Sequence, residues 1–201
     1  MNARGHRVRP LLLCLGLAAV NAVAAASAKS EILNLDPVRS HAEFEVKVMW
    51  LIGLHGDFGA VQGTLAIDHF RSTAVVDARI EANDVRMRSR NYESWARSNE
   101  FFDAEHYPQI HFVSYSFAFA RLVNGGDIDG NLILRGIHRR VRFKLEPSTC
   151  QDPLASSCAV AAIGTIRRSD FGMHSRRGTL ADKVELRLSI YVLRAPTEPT
   201  P

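Results

Sequence analysis

The sequence predicts an all-β fold in which about eight antiparallel strands and one short helix form a barrel or a sandwich. Most of the chain alternates apolar and polar side chains with the period of two that marks half-buried strands. Glycine-containing turns separate several of these segments, as tight antiparallel connections require. An open sheet of this size would expose two edges, which is why closure or doubling is expected.

The first segment has the pattern of a secretory signal peptide. Residues 1–10 carry three arginines and no acid, residues 11–26 form an apolar run, and Ala26-Ser27-Ala28 supplies small residues for cleavage. The apolar run is shorter than the roughly 20 residues that a membrane helix needs. We therefore expect export after removal of residues 1–28, with no stable membrane insertion of the remainder.

The charge of the chain is explained largely by that segment. Among 201 residues, 46% are hydrophobic and 23% are charged, which indicates one folded domain, assigned to residues 29–194. Removing the three signal-peptide arginines lowers the formal net charge from +4 to +1. This balance gives no indication of nucleic acid as a partner.

The strands follow in order along the mature chain. In residues 42–48, Ala42, Phe44, Val46 and Val48 alternate with charged side chains. The same alternation predicts strands at residues 61–68, 75–82, 109–120, 128–134, 140–145, 159–168 and 184–192.

The exception to this alternation is residues 89–102. Here Tyr92, Trp95 and Phe102 fall at spacings of three and seven, which predicts one short helix with an aromatic stripe. This helix either caps one mouth of a barrel or plugs its core. The proline-rich residues 195–201 have nothing to pack against and are predicted to be a disordered tail.

Two cysteines remain after signal removal. Cys150 and Cys158 are separated by a turn-rich spacer, and an exported chain folds in an oxidising compartment, so a disulfide between them is predicted. The sequence contains no nucleophile elbow, no phosphate-binding or dinucleotide-binding loop, and no histidine pair at metal-binding spacing. We therefore expect no catalytic residues, no metal and no cofactor.

The interior of a barrel of this size either fills with side chains or encloses one elongated ligand. Several inward positions are small, so the wall does not by itself fill the lumen. Large side chains across the barrel provide the alternative, a packed core. The small inward residues are Ala42, Gly63, Ala78, Ala82, Gly130, Ala162 and Gly164.

Four motifs, in order along the chain, resemble the YceI family. They are Gly56-x-Phe58-x-x-x-x-Gly63-Thr64-Leu65, Phe101-Phe102-Asp103-x-x-x-x-Pro108-x-Ile110-x-Phe112, Asp129-Gly130-Asn131-Leu132-x-x-Arg135-Gly136 and Arg168-Ser169-Asp170-Phe171-Gly172-Met173. The resemblance covers about residues 31–193. It departs at Trp95-Ala96, where the family commonly has His-Leu, and at Arg140, where it has Pro.

The resemblance implies a single antiparallel eight-stranded lipocalin-like barrel with one short capping helix. It implies a periplasmic binding or carrier protein for a long-chain isoprenoid or similar amphiphile: a polyprenyl phosphate, an isoprenoid quinone or a fatty acid derivative. An enzyme acting on such a lipid and a packed barrel for protein contacts are the alternatives, and homodimerisation is left open. The expected ligand-binding residues are Phe44, Val46, Val48, Trp95, Phe102 and Phe112, with Phe171 added by the family motif. The candidates to meet a polar head group at a mouth are Arg86, Arg88, Arg90, Arg167 and Arg168.

Overall fold

A computed structural model describes residues 30–194, so the predicted signal peptide and tail lie outside the described residues. The strands are β1 (Ser30–Leu35), β2 (His41–Val48), β3 (Ile52–Phe58), β4 (Gln62–Asp68), β5 (Thr73–Glu81), β6 (Val85–Met87), β7 (Gln109–Ser114), β8 (Phe117–Ala118), β9 (Gly126–Leu134), β10 (Ile137–Leu145), β11 (Val160–Arg167), β12 (Leu180–Ile190) and β13 (Val192–Leu193). The α-helices are α1 (Arg90–Arg97) and α2 (Arg121–Asn124), and Ala82–Asp84 and Arg168–Phe171 form 3-10 turns. No helix in this range is long and apolar enough to cross a membrane.

All of these strands pair antiparallel in one sheet. The order is β13-β1-β4-β5-β7-β9-β10-β11-β12-β2-β3-β6, with β8 beside β5. Only Tyr191 separates β12 from β13, so the ladder returns to β1, where Leu35 lies opposite Val192. The N–H of Asp36 donates to the carbonyl of Tyr191 at 2.8 Å across the same junction. The predicted antiparallel barrel is confirmed.

The strand count differs from the prediction because five long strands are interrupted. Short breaks divide β1 from β2, β3 from β4, β5 from β6 and β7 from β8, and β12 is likewise divided from β13. Joined across these breaks, the thirteen strands form the eight predicted ones. The segment predicted as one strand over 109–120 breaks after Ser114, where the N–H of Tyr115 donates to the carbonyl of Asp129.

The outer face of the sheet is charged where the alternation predicts it. Arg140 and Arg142 on β10 are exposed and donate to the carboxylate of Asp129 on β9 at 2.8–3.1 Å. The hydrogen bonds from Arg142 and Arg140 lower the pKa of the Asp129 carboxyl to about 2. The basic side chains thus keep the outer face of the barrel polar, and they partly neutralise the carboxylates beside them.

One end of the barrel carries α1, the β2–β3 turn and the segment 168–179, and we call it the α1 end. The helix is shorter than predicted: it begins after Ser89, whose hydroxyl accepts from the N–H of Tyr92 at 3.3 Å, and it ends at Arg97. Phe102 therefore lies beyond the helix. The Arg97 guanidinium donates to the carbonyls of Asn83 and Val85, both at 2.8 Å, and so occupies acceptors beside the edge strand β6.

The opposite end carries α2 and the loop 146–158, and we call it the disulfide end. Cys150 and Cys158 form the predicted disulfide there. Cys158 and Leu154 are buried, which fixes this loop against the interior. Ser148 extends the attachment, because its N–H donates to the carbonyl of Val123 at 2.9 Å.

Candidate functional site

The interior of the barrel holds a cavity of about 200 Å³. This is far more than the roughly 10–15 Å³ that a single water requires. Among its lining residues only Glu43 and Arg168 are not apolar, and the Glu43 side chain itself is half exposed on the outer face. Such a chamber is suited to hydrocarbon, because it offers a water-soluble molecule almost no hydrogen-bonding partner.

The cavity extends along the barrel axis. Its wall includes Met87 and Trp95 at the α1 end and Leu122 and Leu145 at the disulfide end. The inward positions predicted from alternation over residues 184–192 all contribute to it: Val184, Leu186, Leu188 and Ile190 on β12 and Val192 on β13. The shape therefore matches an elongated ligand better than a compact one.

Three glycines explain how aromatic side chains line this chamber without closing it. A Cβ added to Gly56 would lie 2.2 Å from the Phe44 ring, and one added to Gly164 would lie 2.6 Å from the Phe143 ring. A Cβ added to Gly130 would lie 2.5 Å from the Phe112 ring. Each ring thus lies over the bare backbone of a glycine on a neighbouring strand, and these side chains cover the wall itself.

An aromatic cluster forms the wall near α1. The rings of Phe44, Phe58 and Phe102 lie 5.4–5.8 Å apart, and Trp95 meets Phe101 edge-on at 4.3 Å. These separations are typical of favourable aromatic pairs. The cluster is the part of the chamber wall contributed jointly by the sheet and the segment after α1.

Trp95 is held by polar contacts at the outer edge of its ring. Its indole N–H donates to Glu100 Oε2 at 3.0 Å, and the Arg176 guanidinium lies 4.8 Å from the ring centroid. The hydrogen bond fixes the direction of the ring, so that its apolar body lines the cavity. Tyr92, the first member of the predicted aromatic stripe, is 44% exposed and is not part of the lining.

Most of the residues expected to bind a ligand meet at this cavity. Phe44, Val46, Trp95, Phe102 and Phe112 line it. The remaining two expected residues, Val48 and Phe171, do not line it.

Val48 and Phe171 pack against or within the core but lie outside the cavity lining. Val48 is the last residue of β2, beyond the part of the strand that borders the cavity. Phe171 ends the 3-10 turn and is fully buried, so the family motif marks a core residue here.

Among the five candidate arginines, Arg168 alone lines the cavity, and Arg86, Arg88, Arg90 and Arg167 are exposed on the surface. The guanidinium of Arg168 is buried, with the residue 3% exposed. Charge alone does not distinguish it from its neighbour Arg167, but the family motif quoted above begins at Arg168 and does not include Arg167.

The Arg168 guanidinium is satisfied by backbone carbonyls. Nε donates to Ala181 at 2.9 Å and Nη2 donates to Leu180 at 3.1 Å. Nη1 donates to Met173 and Ser175, both at 3.3 Å. These bonds use four of its five N–H groups.

Burial lowers the pKa of the Arg168 guanidinium from its ordinary range. An arginine nonetheless retains its charge at neutral pH. The result is a fixed cation at the α1 end of an otherwise apolar chamber.

Several wall residues escape prediction from the sequence. Leu54 and Phe58 lie on β3, where Gly56 at the inward position between them interrupts the apolar alternation. Leu122 lies on the single-turn helix α2 and Phe117 on the two-residue strand β8, elements too short to produce a periodic pattern. Of these four residues only Phe58 belongs to one of the family motifs, which is the only sequence feature that indicates a role for it.

Over residues 30–194, no group of three or more His, Cys, Asp or Glu side chains converges in the manner of metal ligands.

Comparison with known proteins agrees with this architecture. The chain is 30% identical over 186 residues to a UPF0312 protein of Pectobacterium atrosepticum, with 90% of this chain and 96% of the relative covered. It is 28% identical over 169 residues to protein YceI of Salmonella arizonae, covering 82% of this chain and 87% of the relative.

Solved structures share the fold. The crystal structure of Burkholderia cenocepacia BcnA superposes with a TM-score of 0.68 at 20% identity, covering 80% of this chain and 99% of that one. A polyisoprenoid binding domain from Saccharophagus degradans gives a TM-score of 0.60 at 14% identity, covering 81% and 98%. The model of the YceI-like domain matches residues 33–192, nearly the whole described range. The chain therefore belongs to the YceI-like domain family.

Proposed function

We propose that this protein is an exported binding or carrier protein that holds the hydrocarbon tail of a long-chain isoprenoid or similar amphiphile inside the barrel. The observation that carries the proposal is the elongated, almost wholly apolar cavity of about 200 Å³. A structural relative described as a polyisoprenoid binding domain supports the ligand class. A packed structural barrel, the main alternative without a ligand, would have a filled interior.

The energetics of such binding are favourable without any polar contact to the tail. Each methylene group moved from water into the chamber contributes about 0.8 kcal/mol. Burial of about ten such groups gives roughly 8 kcal/mol, which corresponds to micromolar affinity before ordering costs are subtracted. The apolar wall therefore supplies affinity, and a polar contact is needed mainly to orient the ligand.

The ligand orientation that the charges favour places the polar head at the α1 end. Among residues 30–194, Arg168 is the only cation in the cavity lining, and four of its five N–H groups bind backbone carbonyls. The remaining N–H on Nη2 is the candidate donor to a phosphate or carbonyl oxygen. The tail then extends past Phe44 and Phe112 towards Leu122 at the disulfide end.

Two neighbouring residues on β11 provide a matched test. Ala162 is buried and lines the cavity, whereas Ile163 points outward and is 41% exposed. The substitution Ala162→Phe fills the chamber, and Ile163→Phe adds a ring to the surface.

The experiment is native mass spectrometry of protein purified without detergent, followed by titration with an isoprenoid quinone and with a polyprenyl phosphate. We expect a co-purifying or added long-chain lipid on the unaltered protein and on Ile163→Phe, and at least a tenfold loss of affinity in Ala162→Phe. A thermal melt of each variant checks that it is folded. Absence of lipid on the unaltered protein in both measurements, or equal affinity of the two variants, contradicts the proposal.

A further inference from the structure

The turn between β2 and β3 presents four consecutive large apolar side chains to solvent. Met49, Trp50, Leu51 and Ile52 are between 63 and 87% exposed. We call these four residues the apolar tip. Contiguous exposed hydrophobic side chains mark interaction surfaces more often than isolated ones do.

The backbone of the tip adopts a conformation that its residues do not favour. The N–H of Leu51 donates to the carbonyl of Val48 at 3.1 Å, and both residues between them have positive φ, 47° for Met49 and 64° for Trp50. Turns of this kind favour Asn and Gly, because side chains with a Cβ are strained there. Neither burial nor backbone preference accounts for methionine and tryptophan at these positions. Strained, exposed residues are grounds for assigning a function.

The surroundings of the tip are basic. The N–H of Met49 donates to the carbonyl of Thr179 at 2.6 Å, which joins the tip to the loop that carries exposed Arg176 and Arg177. Lys47 is exposed on the strand that leads into the tip. The flanking stretches 46–56 and 171–181 contain no Asp or Glu.

Two of these cations lack a carboxylate partner. Within residues 30–194, the ion pairs formed at 4.0 Å or less include none from Lys47 or Arg177. Arg177 Nη2 donates to Nδ1 of the exposed His174 on the same loop, a contact that gives it no anion. Arg176 reaches Glu100 at 3.7 Å, the carboxylate that also accepts from Trp95. The basic loop thus connects the apolar tip to a residue of the cavity wall.

We propose that the apolar tip, with Lys47 and Arg177, docks this protein on an anionic lipid bilayer. Tryptophan and aliphatic side chains enter the interfacial region of a membrane, and nearby Lys and Arg meet the phosphate groups above it. The docking surface lies at the α1 end, the same end at which the proposed ligand places its head group. Membrane docking itself does not depend on the proposed function; only its purpose, exchange of a lipid between bilayer and chamber, does.

A double substitution in the turn removes the apolar tip without destabilising the fold. Met49→Asn combined with Trp50→Gly installs the residues that this turn favours, so the variant is expected to melt at the same temperature or higher. Phe70→Ser provides the control, because Phe70 is 81% exposed on the β4–β5 turn at the other end of the barrel.

The assay is co-sedimentation of the purified protein with vesicles of phosphatidylethanolamine and phosphatidylglycerol, compared with pure phosphatidylcholine. We expect binding to the anionic vesicles, weakened by salt, and at least a tenfold loss in the Met49→Asn, Trp50→Gly variant but not in Phe70→Ser. Arg177→Gln is expected to lower binding about fivefold, since each basic residue near an anionic surface contributes about 1 kcal/mol.

Failure of the unaltered protein to bind anionic vesicles, or equal binding by the turn variant, overturns the proposal. So does a dimer in sedimentation velocity that the turn variant dissociates, because the tip is then an interface between two copies. Titration of lipid into the turn variant in solution distinguishes the two proposals. If the turn variant still binds lipid in solution but no longer binds vesicles, both the chamber proposal and the docking proposal are supported. If the unaltered protein binds vesicles but holds no lipid in solution, the docking proposal alone is supported.

Discussion

Gly164→Ala tests whether the aromatic wall depends on bare backbone beneath it. The added Cβ would lie 2.6 and 2.7 Å from two atoms of the Phe143 ring, whereas carbon atoms in contact need about 3.5–4.0 Å. The ring must therefore move by about 1 Å. Phe112 blocks movement along the wall, because its own ring lies 5.1 Å away and covers Gly130. We therefore expect the Phe143 ring to be displaced into the chamber.

The expected cost follows from overpacking of a filled site. Such changes destabilise by about 1–3 kcal/mol, and each kcal/mol lowers the melting temperature of a domain of this size by roughly 2–4 °C. The cavity also becomes smaller, so lipid affinity is expected to fall in the same variant. Urea denaturation and thermal melts measure the first effect, and lipid titration measures the second.

Two controls make this prediction specific. Gly178→Ala places its Cβ in open space and is expected to leave stability unchanged or slightly raised. In a Phe143→Leu background the ring is absent, so most of the Gly164→Ala cost is expected to disappear, a coupling of about 1 kcal/mol or more. The reasoning is refuted if Gly164→Ala resembles Gly178→Ala, or if its cost is undiminished in the Phe143→Leu background.

Three further predictions concern other parts of the molecule. Replacing Cys150 and Cys158 by serine removes a crosslink that closes a nine-residue loop, and a loss of about 2–3 kcal/mol in the free energy of unfolding is expected in urea melts. Arg168→Met leaves four carbonyls without their donor, so a loss of about 3 kcal/mol or more is expected, and a change below 1 kcal/mol would contradict the role of Arg168. The hydrogen bond that His106 Nδ1 donates to the Asp103 carboxylate raises the pKa of His106, so its stabilising effect is present below pH 6.5 and is lost as the pH rises through the raised pKa. NMR titration should show the His106 pKa falling in Asp103→Asn.

The sequence predicts the long strands well because each buries one face. The five apolar positions predicted from alternation over residues 184–192, four on β12 and one on β13, all line the cavity. The same holds for Val76, Ala78 and Ile80 on β5, whereas Ala82, predicted as the next inward residue, begins a 3-10 turn and is buried outside the lining. Where a strand is long and one face is packed, the period of two is imposed at every residue and can be read from the sequence.

The parts that were not predicted are those in which tertiary contacts override local pattern. On β3, Gly56 occupies the inward position between Leu54 and Phe58, and it is required by the Phe44 ring on the neighbouring strand β2. The burial of Arg168 depends on carbonyls of residues 173–181, which only the folded chain brings together. Neither relationship leaves a periodic trace in the sequence.

The closing seam of the barrel has a consequence for how the protein folds. The ring is completed where β1 meets β13 and β2 meets β12, so that Leu35 pairs with Val192 and His41 with Ser189. Strands from the two termini of the domain must therefore find each other across nearly the whole chain, and closing so long a loop is entropically costly and slow. Until the last strand arrives, β1 and β2 offer unpaired edges and the apolar chamber is open to water. The interval before closure is thus when this chain is most exposed to aggregation.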